Sequence, residues 1–463
     1  MLNEREYELL SQLVARGSMQ SLQGCIKEWN FADFQTYALA FCYIRERMII
    51  SLDTGLGKTL IAAGLINLDI SNNKWIFVSK STNLAQNAKK LNQLLYGKTV
   101  TYTNGEARNV TNALYKGFTA DVIMMTYECF ESPLVQEYIF KTRHMYSGII
   151  IDESHAIGNM GSIRSEMLKH MLRNCFRYQF LLTATPLTVD PVQLLNQVNI
   201  IDQELVPDPE SMALRYSTYK NGVLQSYHHL DDLRDYIEER YLSITRTEMN
   251  MRGNYKPQLI LTATPNGWKD LHTPEGIQEY KSQANNSSLQ EVIKIVNRKT
   301  REGKRGLIYA NLEVYKSLLV DSLKDICRVN RLDGTIKNKE KDVIQHDFNN
   351  GQYDVLVSNL LEGRDLPCDY IIFYEMTVLF KQFIGRGERG LQGQDLELYF
   401  PVVNKSYDIS YFYRNVYKRG LILEKLCNKD VSELKVIEKQ LESALDFEDR
   451  LDLEELKTAE HVY

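Results

Sequence analysis

The chain has 463 residues, of which 44% are hydrophobic and 25% are charged, and this composition is typical of a soluble globular protein of two or three domains. No apolar run approaches the roughly 18–20 residues that a membrane-spanning helix needs, and the N-terminus lacks a signal-peptide core. The seven cysteines are scattered without a Cys-x-x-Cys pair, which excludes a zinc ribbon or a disulfide framework and favours reduced thiols in a cytoplasmic protein.

The net charge of −5 is unevenly distributed along the chain. Residues 429–463 contain 11 acidic and 5 basic residues, so most of the acidic excess lies there. We predict an acidic helical tail over 426–463. Because the rest of the chain is close to neutral, a local basic channel for nucleic acid is compatible with the composition.

The chain begins with a predicted helical lead-in over residues 1–30, where leucines recur at helical spacing. Gln35 follows, shortly before the first predicted strand. Its amide offers both a donor and an acceptor, so it can read the edge of an adenine base. A surface helix residue with no such role is an equal alternative.

A glycine-rich turn between an apolar strand, 48–50, and a helix is the most informative stretch of the sequence. Gly55 and Gly57 allow backbone N–H groups to close around phosphate oxygens, Lys58 can reach the β- and γ-phosphates, and the Thr59 hydroxyl can hold Mg²⁺. The cofactors predicted are ATP and Mg²⁺. The first glycine of the general pattern is replaced by Leu52. The predicted nucleotide-binding residues here are Thr54, Gly55, Leu56, Gly57, Lys58 and Thr59.

A second apolar strand, 147–151, ends in the carboxylates Asp152 and Glu153. Asp152 is predicted to hold the metal ion, and Glu153 to orient or polarise the attacking water. Strands and helices alternate from 48 to 186, which favours a parallel α/β sheet with its ligands at the carboxyl ends of the strands. Four polar residues at predicted strand ends would line one rim: Ser79, Thr126, Asp152 and Thr183.

Residues 201–300 are polar and interrupt this alternation, which predicts a mainly helical insertion and linker. The string 261–265 nearly repeats 182–186, but no phosphate loop precedes it, so we assign it no function. Strands alternate with helices again over 301–425, which predicts a second α/β domain without its own phosphate loop. Arg386 and Arg389 lie three residues apart, and Arg389 is a candidate arginine finger.

Together these motifs resemble those of the superfamily 2 helicases and translocases over roughly residues 30–400. Residues 55–59 are similar to motif I, residues 152–155 to the DExH form of motif II, and residues 183–185 to motif III. Residues 358–366 resemble motif V and residues 382–389 resemble motif VI. The resemblance implies two RecA-like domains in tandem, over 31–200 and 301–425.

The resemblance also implies roles for residues outside the phosphate loop. Gly363 and Asp365 would contact the nucleotide, Gln382 would act with the two arginines, and His155, Thr183 and Thr185 would couple hydrolysis to strand movement. The implied nucleic-acid contacts are Ser79, Lys80, Thr126, Gly334, Ser358 and Asn359.

The loop Gly-Leu-Gly-Lys-Thr and the string 244–247 resemble the Swi2/Snf2-like translocases, whereas the compact length resembles the UvsW-type branch-migration helicases of large bacterial viruses. We therefore predict an ATP-dependent DNA helicase that unwinds or branch-migrates forked and branched DNA in replication, recombination or repair. The alternatives are an RNA helicase, a transcription-associated translocase without strand separation, and a non-catalytic binding module. The intact ATPase residues argue against the last of these, and the sequence does not identify the protein partners.

Overall fold

The computed structural model describes residues 31–69, 71, 73–103, 120–187, 190–220, 223–249, 253–262, 274–360, 364–388, 395–404 and 407–444. The predicted lead-in at 1–30 and residues 445–463 of the predicted tail lie outside this range. The chain divides into two compact units. The first comprises residues 1–250 and 425–428, and the second comprises residues 251–424 and 429–463.

The first unit is built on a seven-stranded sheet in which every neighbouring pair of strands is parallel. The central strands are continuous apolar runs whose residues are buried on both faces, as in parallel sheets covered by helices. The spatial order is β3-β4-β2-β5-β6-β1-β9. The strands are β1 Arg47–Leu52, β2 Lys74–Ser79, β3 Val100–Thr103, β4 Val122–Thr126, β5 Tyr146–Asp152, β6 Tyr178–Thr183 and β9 Tyr241–Ile244.

Several helices of the first unit begin at residues that satisfy their free N–H groups. The Ser162 hydroxyl accepts a hydrogen bond from the Ser165 backbone N–H, and Asp190 caps the helix that starts with Pro191. The helices are α1 Asp33–Arg45, α2 Lys58–Leu68, α3 Ser81–Leu94, α4 Tyr127–Phe130, α5 Pro133–Lys141, α6 Ile163–Cys175, α7 Pro191–Ile201, α8 Pro209–Ala213 and α9 Leu230–Ile237, with 3-10 turns at Arg143–Met145 and Ser154–Ile157.

The second unit contains a six-stranded sheet, also parallel throughout, in the order β10-β15-β14-β11-β13-β12. Successive residues of its strands enter separate hydrophobic cores: Leu307 packs in the core that contains Phe383, and Ile308 packs in the core that contains Leu319. The strands are β10 Asn254–Thr262, β11 Gly306–Tyr309, β12 Val329–Leu332, β13 Val355–Ser358, β14 Tyr370–Phe373 and β15 Asp395–Val403.

Helices also accompany the second sheet. None of the helices in the described ranges is both long and apolar enough to cross a bilayer. These helices are α10 Pro274–Arg301, α11 Glu313–Leu323, α12 Asn338–Asn349, α13 Phe380–Gly387, α14 Tyr407–Tyr411, α15 Lys418–Cys427 and α16 Ser432–Ala444, with a π-helical turn at Phe412–Tyr417.

The predicted α/β fold with two parallel sheets is confirmed, and residues 201–300 contain strands as well as the predicted helices. Strand β9 joins the first sheet beside β1, and β10 forms the edge of the second sheet. The first unit also contains an antiparallel hairpin, β7 Ser217–Lys220 and β8 Val223–Tyr227, which precedes β9 in the chain. Pro257 is tolerated in β10 because an edge strand has one side without a hydrogen-bonding neighbour. The string 261–265 begins at the end of β10, and residues 263–265 lie outside the described ranges.

Candidate nucleotide and nucleic-acid sites

The predicted phosphate loop connects the carboxyl end of β1 to the first turn of α2. Gly55 and Gly57 have φ angles of 87° and 88°, a left-handed conformation that is strained for residues with a side chain. Helix α2 begins at Lys58, directly after Gly57, and Thr59 follows in its first turn. The N–H groups and the positive dipole end of this helix therefore lie beside the loop, as a phosphate site requires.

Gln35 lies against this loop. Its Nε2 donates to the Leu56 carbonyl over 3.1 Å, and its Oε1 accepts a hydrogen bond from the Ala32 N–H over 3.1 Å. A Cβ atom added at Gly57 would lie 2.8 Å from Gln35 Nε2, so the two residues are in close contact. Gln35 thus supports the loop, and its contact with adenine stays a prediction.

Arg246 lies beside the phosphate loop, a position that the sequence did not predict. It follows β9, and its backbone N–H donates to Asp53 Oδ2 over 3.0 Å. Its Nη1 is 3.5 Å from the Cβ position of Gly55. The string 244–247 gave a resemblance to Swi2/Snf2-like proteins, but its place in space depends on the pairing of β9 with β1.

Asp152 is buried at the carboxyl end of β5 and is oriented by two neighbouring side chains. The Ser79 hydroxyl donates to Asp152 Oδ2 over 3.2 Å, and Asn87 Nδ2 donates to the same oxygen over 2.9 Å. Burial and the charge of Glu153 raise the pKa of Asp152 to about 7, against the opposing effects of Lys58 and the two hydrogen bonds. Lys58 is therefore close enough to act on this carboxylate.

Glu153 has a left-handed backbone, with φ 56° and ψ 50°, which is uncommon for a non-glycine residue and often marks functional sites. Neighbouring side chains hold the backbone on both sides of it. The Tyr127 hydroxyl donates to the Asp152 carbonyl over 2.7 Å, and the Ser154 hydroxyl donates to Gln197 Oε1 over 2.8 Å. Together they stabilise the turn that carries the two carboxylates.

His155 lies among residues from three strand ends. Lys80 Nζ is 3.2 Å from His155 Nε2, and the other ring nitrogen, Nδ1, is 3.5 Å from Glu153 Oε2 and 3.5 Å from Thr183 Oγ1. The Thr183 hydroxyl in turn accepts a hydrogen bond from the Thr185 backbone N–H over 3.0 Å. The structure thus brings together the three residues that the sequence predicted for coupling.

The donor groups at this rim fit a magnesium ion. A carboxylate from Asp152 and a hydroxyl from Thr59 are the oxygen ligands that Mg²⁺ prefers, and phosphate oxygens and waters complete such sites in nucleotide-binding proteins. Within the described ranges, no group of three or more His, Cys, Asp or Glu residues forms a separate all-protein metal site.

In the second unit, Arg386 of α13 is only 5% exposed. Its Nη1 lies 3.5 Å from the Arg364 carbonyl, and Gln382 on the same helix is also buried. The Asp365 carbonyl accepts a hydrogen bond from Gln345 Nε2 over 3.0 Å. Gly363 and Arg389, the other residues predicted in these two motifs, lie outside the described ranges.

Two sequence families match the chain in succession. The family described as "Type III restriction enzyme, res subunit" matches residues 19–188, and the family described as "Helicase conserved C-terminal domain" matches residues 286–390. The chain is a superfamily 2 helicase. It is accordingly an ATP-dependent enzyme with a helicase-type ATPase core. No curated protein sequence matches it.

Solved structures also resemble this helicase. The helicase domain of Pyrococcus furiosus Hef has a TM-score of 0.52 and 14% sequence identity, and the match covers 84% of this chain and 98% of that one. The Sulfolobus solfataricus SWI2/SNF2 ATPase core in complex with dsDNA has a TM-score of 0.42 and 14% identity, with coverage of 89% and 96%. The Hef match shows the fold, which is the predicted tandem of RecA-like domains.

Three of the predicted nucleic-acid contacts of the helicase have buried side chains. Ser79 and Ser358 are fully buried, and Thr126 is 5% exposed. Their hydroxyls have structural partners: Ser79 bonds Asp152, Thr126 accepts from the Cys129 N–H, and Ser358 donates to the Leu332 carbonyl. At these three β-strand ends, the short polar side chains form hydrogen bonds within the protein. Lys80 and Asn359 are partly exposed and Gly334 is exposed, so all three are accessible to a nucleic-acid strand.

Functional residues that the sequence did not reveal also support the helicase site. Asn87, Tyr127, Gln197 and Arg246 each contact a motif residue or its backbone. The only available signal was position: Asn87 lies two turns into the helix that follows Ser79, and Tyr127 follows Thr126 directly. The tertiary packing determines whether these side chains face the end of β5, which carries Asp152.

Proposed function

We propose that this helicase uses ATP and Mg²⁺ to translocate along DNA and to unwind or branch-migrate forked and branched DNA in replication, recombination or repair. The proposal depends chiefly on one observation, which is that the phosphate loop and the Asp152–Glu153 turn belong to the carboxyl end of one parallel sheet. Parallel α/β sheets bind their ligands at this edge, so the placement of these residues supports phosphoryl transfer as the reaction.

In the proposed reaction, the first turn of α2 and the Lys58 ammonium bind the β- and γ-phosphates. Thr59 and Asp152 would hold the magnesium ion, which neutralises charge on the phosphate oxygens. Glu153 orients the attacking water and accepts its proton. Asn87 and Ser79 keep the Asp152 carboxylate in position, because each donates to its Oδ2 atom.

Further roles in turnover are proposed for residues of motifs V and VI. Gln382 and Arg386 act with Arg389, which serves as the arginine finger, and Gly363 and Asp365 contact the nucleotide. The nucleic-acid strand is contacted by Lys80, Gly334 and Asn359. These contacts are mostly to phosphates, so they carry no sequence information.

We favour DNA over RNA as the substrate because of two features of the motif residues. The Gly-Leu-Gly-Lys-Thr loop is similar to that of Swi2/Snf2-like DNA translocases, and His155 stands where DEAD-box RNA helicases have aspartate. The second candidate is an RNA helicase or a transcription-associated translocase without strand separation, which would use the same ATPase residues.

ATP hydrolysis with matched DNA and RNA strands tests this proposal. Because closure of such enzymes depends on a correctly seated strand, the rate discriminates better than affinity does. We expect much stronger stimulation by DNA than by RNA of the same sequence, and faster unwinding of forks and four-way junctions than of blunt linear duplexes. Equal stimulation by RNA, or equal rates on branched and linear DNA at physiological salt, would favour the second candidate.

A further inference from the structure

The segment that follows β9 is held against the start of the phosphate loop. Strand β9 pairs in parallel with β1, and the register places Ile244 opposite Leu52, the last residue of each strand. Two hydrogen bonds continue the contact beyond the strands. The Asp53 N–H donates to the Ile244 carbonyl over 3.2 Å, and the Arg246 N–H donates to Asp53 Oδ2 over 3.0 Å. The backbone of Arg246 is therefore fixed beside the loop.

A hydrogen-bonded turn holds the chain around Arg246. Glu248 Oε2 accepts hydrogen bonds from the Thr245 N–H over 2.7 Å and from the Thr245 hydroxyl over 2.8 Å. Thr245 is only 1% exposed, so its polar groups need these partners. The Met249 N–H also donates to the Thr245 carbonyl over 3.3 Å. The position from which the Arg246 side chain leaves the backbone is thus set before a nucleotide binds.

The Arg246 side chain reaches a glycine of the phosphate loop. Its Nη1 lies 3.5 Å from the position that a Cβ atom of Gly55 would occupy, which is ordinary van der Waals contact. Gly55 and Gly57 both have left-handed backbones, and such turns form concavities whose N–H groups bind anions. Arg246 therefore places a permanent positive charge and several N–H donors beside a main-chain anion site.

We propose that Arg246 binds the phosphate groups that ATP and ADP share, so that the first unit supplies a second cation to the nucleotide besides Lys58. This inference rests on the proposed function, since it assigns a further contact within the same nucleotide site. The backbone of a phosphate loop surrounds the α- and β-phosphates, whereas its lysine reaches the β- and γ-phosphates. Gly55 lies in the loop, three residues before Lys58. A guanidinium against Gly55 is therefore placed for the α- and β-phosphates.

This position gives Arg246 a different role from that of the proposed arginine finger, Arg389. A contact with the α- and β-phosphates forms when ATP binds and persists with ADP after hydrolysis. Such uniform binding lowers KM and leaves kcat unchanged, whereas a finger acts on charge that develops in the transition state. Arg246 is accordingly a nucleotide-binding residue.

Direct titration with ADP and Mg²⁺ tests the proposal without a catalytic step. For Arg246→Ala we expect the Kd for ADP to rise on the order of ten- to hundred-fold, which is the effect of losing a hydrogen bond between opposite charges. Arg246→Lys should lose less affinity than Arg246→Gln, because lysine keeps the charge. All three variants keep the main-chain N–H that donates to Asp53 Oδ2. Arg215→Ala, which removes an exposed arginine of the same unit, is the matched control and should bind ADP as the parent does.

Two further readouts distinguish a phosphate contact from a merely structural role. In steady-state ATP hydrolysis, Arg246→Ala should raise the KM for ATP by a factor similar to the change in Kd for ADP, with kcat within about two-fold of the parent. The advantage of the parent over Arg246→Gln in ADP affinity should shrink as the salt concentration rises, because ions screen a charge interaction. Equal melting temperatures of parent and variants establish that the comparison concerns folded protein.

The outcomes separate this inference from the proposed function. If the parent binds ADP and Arg246→Ala binds it equally well, Arg246 is not a phosphate contact and the inference is disproved. Loss of kcat with unchanged ADP affinity would assign Arg246 to the transition state and would also disprove it, as would equal losses in Arg246→Lys and Arg246→Gln. If the parent does not bind ADP in the presence of Mg²⁺, the proposed function fails and this inference fails with it.

Discussion

Asn87 Nδ2 donates a hydrogen bond to Asp152 Oδ2 over 2.9 Å, and both side chains are buried. Asn87 belongs to α3 and Asp152 ends β5, so the contact joins a helix to the catalytic end of a strand. Groups that hydrogen-bond a ligating carboxylate fix its orientation and commonly change metal affinity 10- to 100-fold when removed. Asn87 is therefore expected to affect metal binding through the orientation of Asp152.

Asn87→Ala should raise the Mg²⁺ concentration that gives half-maximal ATPase activity by about ten-fold, since Asp152 loses one of its two side-chain donors. A magnesium titration at saturating ATP measures this. Gln86→Ala is the matched control, because Gln86 is the exposed neighbour on the same helix. The same magnesium requirement in both variants would show that Asn87 does not position the carboxylate.

Lys58→Ala should nearly abolish turnover, because it removes a charge-assisted contact to the transferring phosphate. Steady-state ATP hydrolysis measures the loss, with Lys89→Ala as the control, since Lys89 is an exposed lysine of α3. Activity of Lys58→Ala within a few-fold of the parent would contradict the assignment of the phosphate loop.

Alanine substitutions of Arg386 and Arg389, the two arginines of motif VI, should differ in their effects on protein stability. Arg389→Ala is expected to lose turnover on the order of 10³-fold while still binding nucleotide, and Arg389→Lys should rescue little because an ammonium lacks the guanidinium fork. Arg386→Ala removes a buried guanidinium that lies near the Arg364 carbonyl, so it should also lower the melting temperature. Normal hydrolysis by Arg389→Lys would exclude Arg389 as the finger.

Asp152→Asn should inactivate the enzyme and yet stabilise the protein in the absence of nucleotide and metal. The pKa of Asp152 rises from an ordinary 3.8 to about 7 in the folded state, mainly through burial and then through the charge of Glu153. The folded protein therefore binds the proton more tightly than the unfolded chain does, and stability falls as pH rises from about 4 to about 7.

The side chain introduced by Asp152→Asn does not ionise, so the variant does not lose this stability as the pH rises. At pH 8 the variant should exceed the parent in free energy of unfolding by at least about 1 kcal/mol, and the difference should shrink toward pH 4. Thermal or denaturant unfolding across this pH range measures it. A stability difference that is independent of pH would contradict the raised pKa.

The sequence by itself determined the α/β class, the phosphate loop and the carboxylate pair. These features depend on local signals: apolar runs such as 48–50 and 147–151 form buried strands, and a turn with Gly55 and Gly57 accepts the left-handed backbone that a phosphate loop needs. The order of the motifs along the chain also sufficed to predict the superfamily, which the family matches confirmed.

Only the tertiary structure decided which residues surround those motifs. Strand β9 has only four residues, and its parallel pairing with β1 brings Arg246 to the phosphate loop. Ser79 and Ser358 are polar residues at strand ends, and burial turned them inward to bond Asp152 and the Leu332 carbonyl. Such contacts join residues far apart in the chain, so their geometry follows from how helices and strands pack and has no local signature.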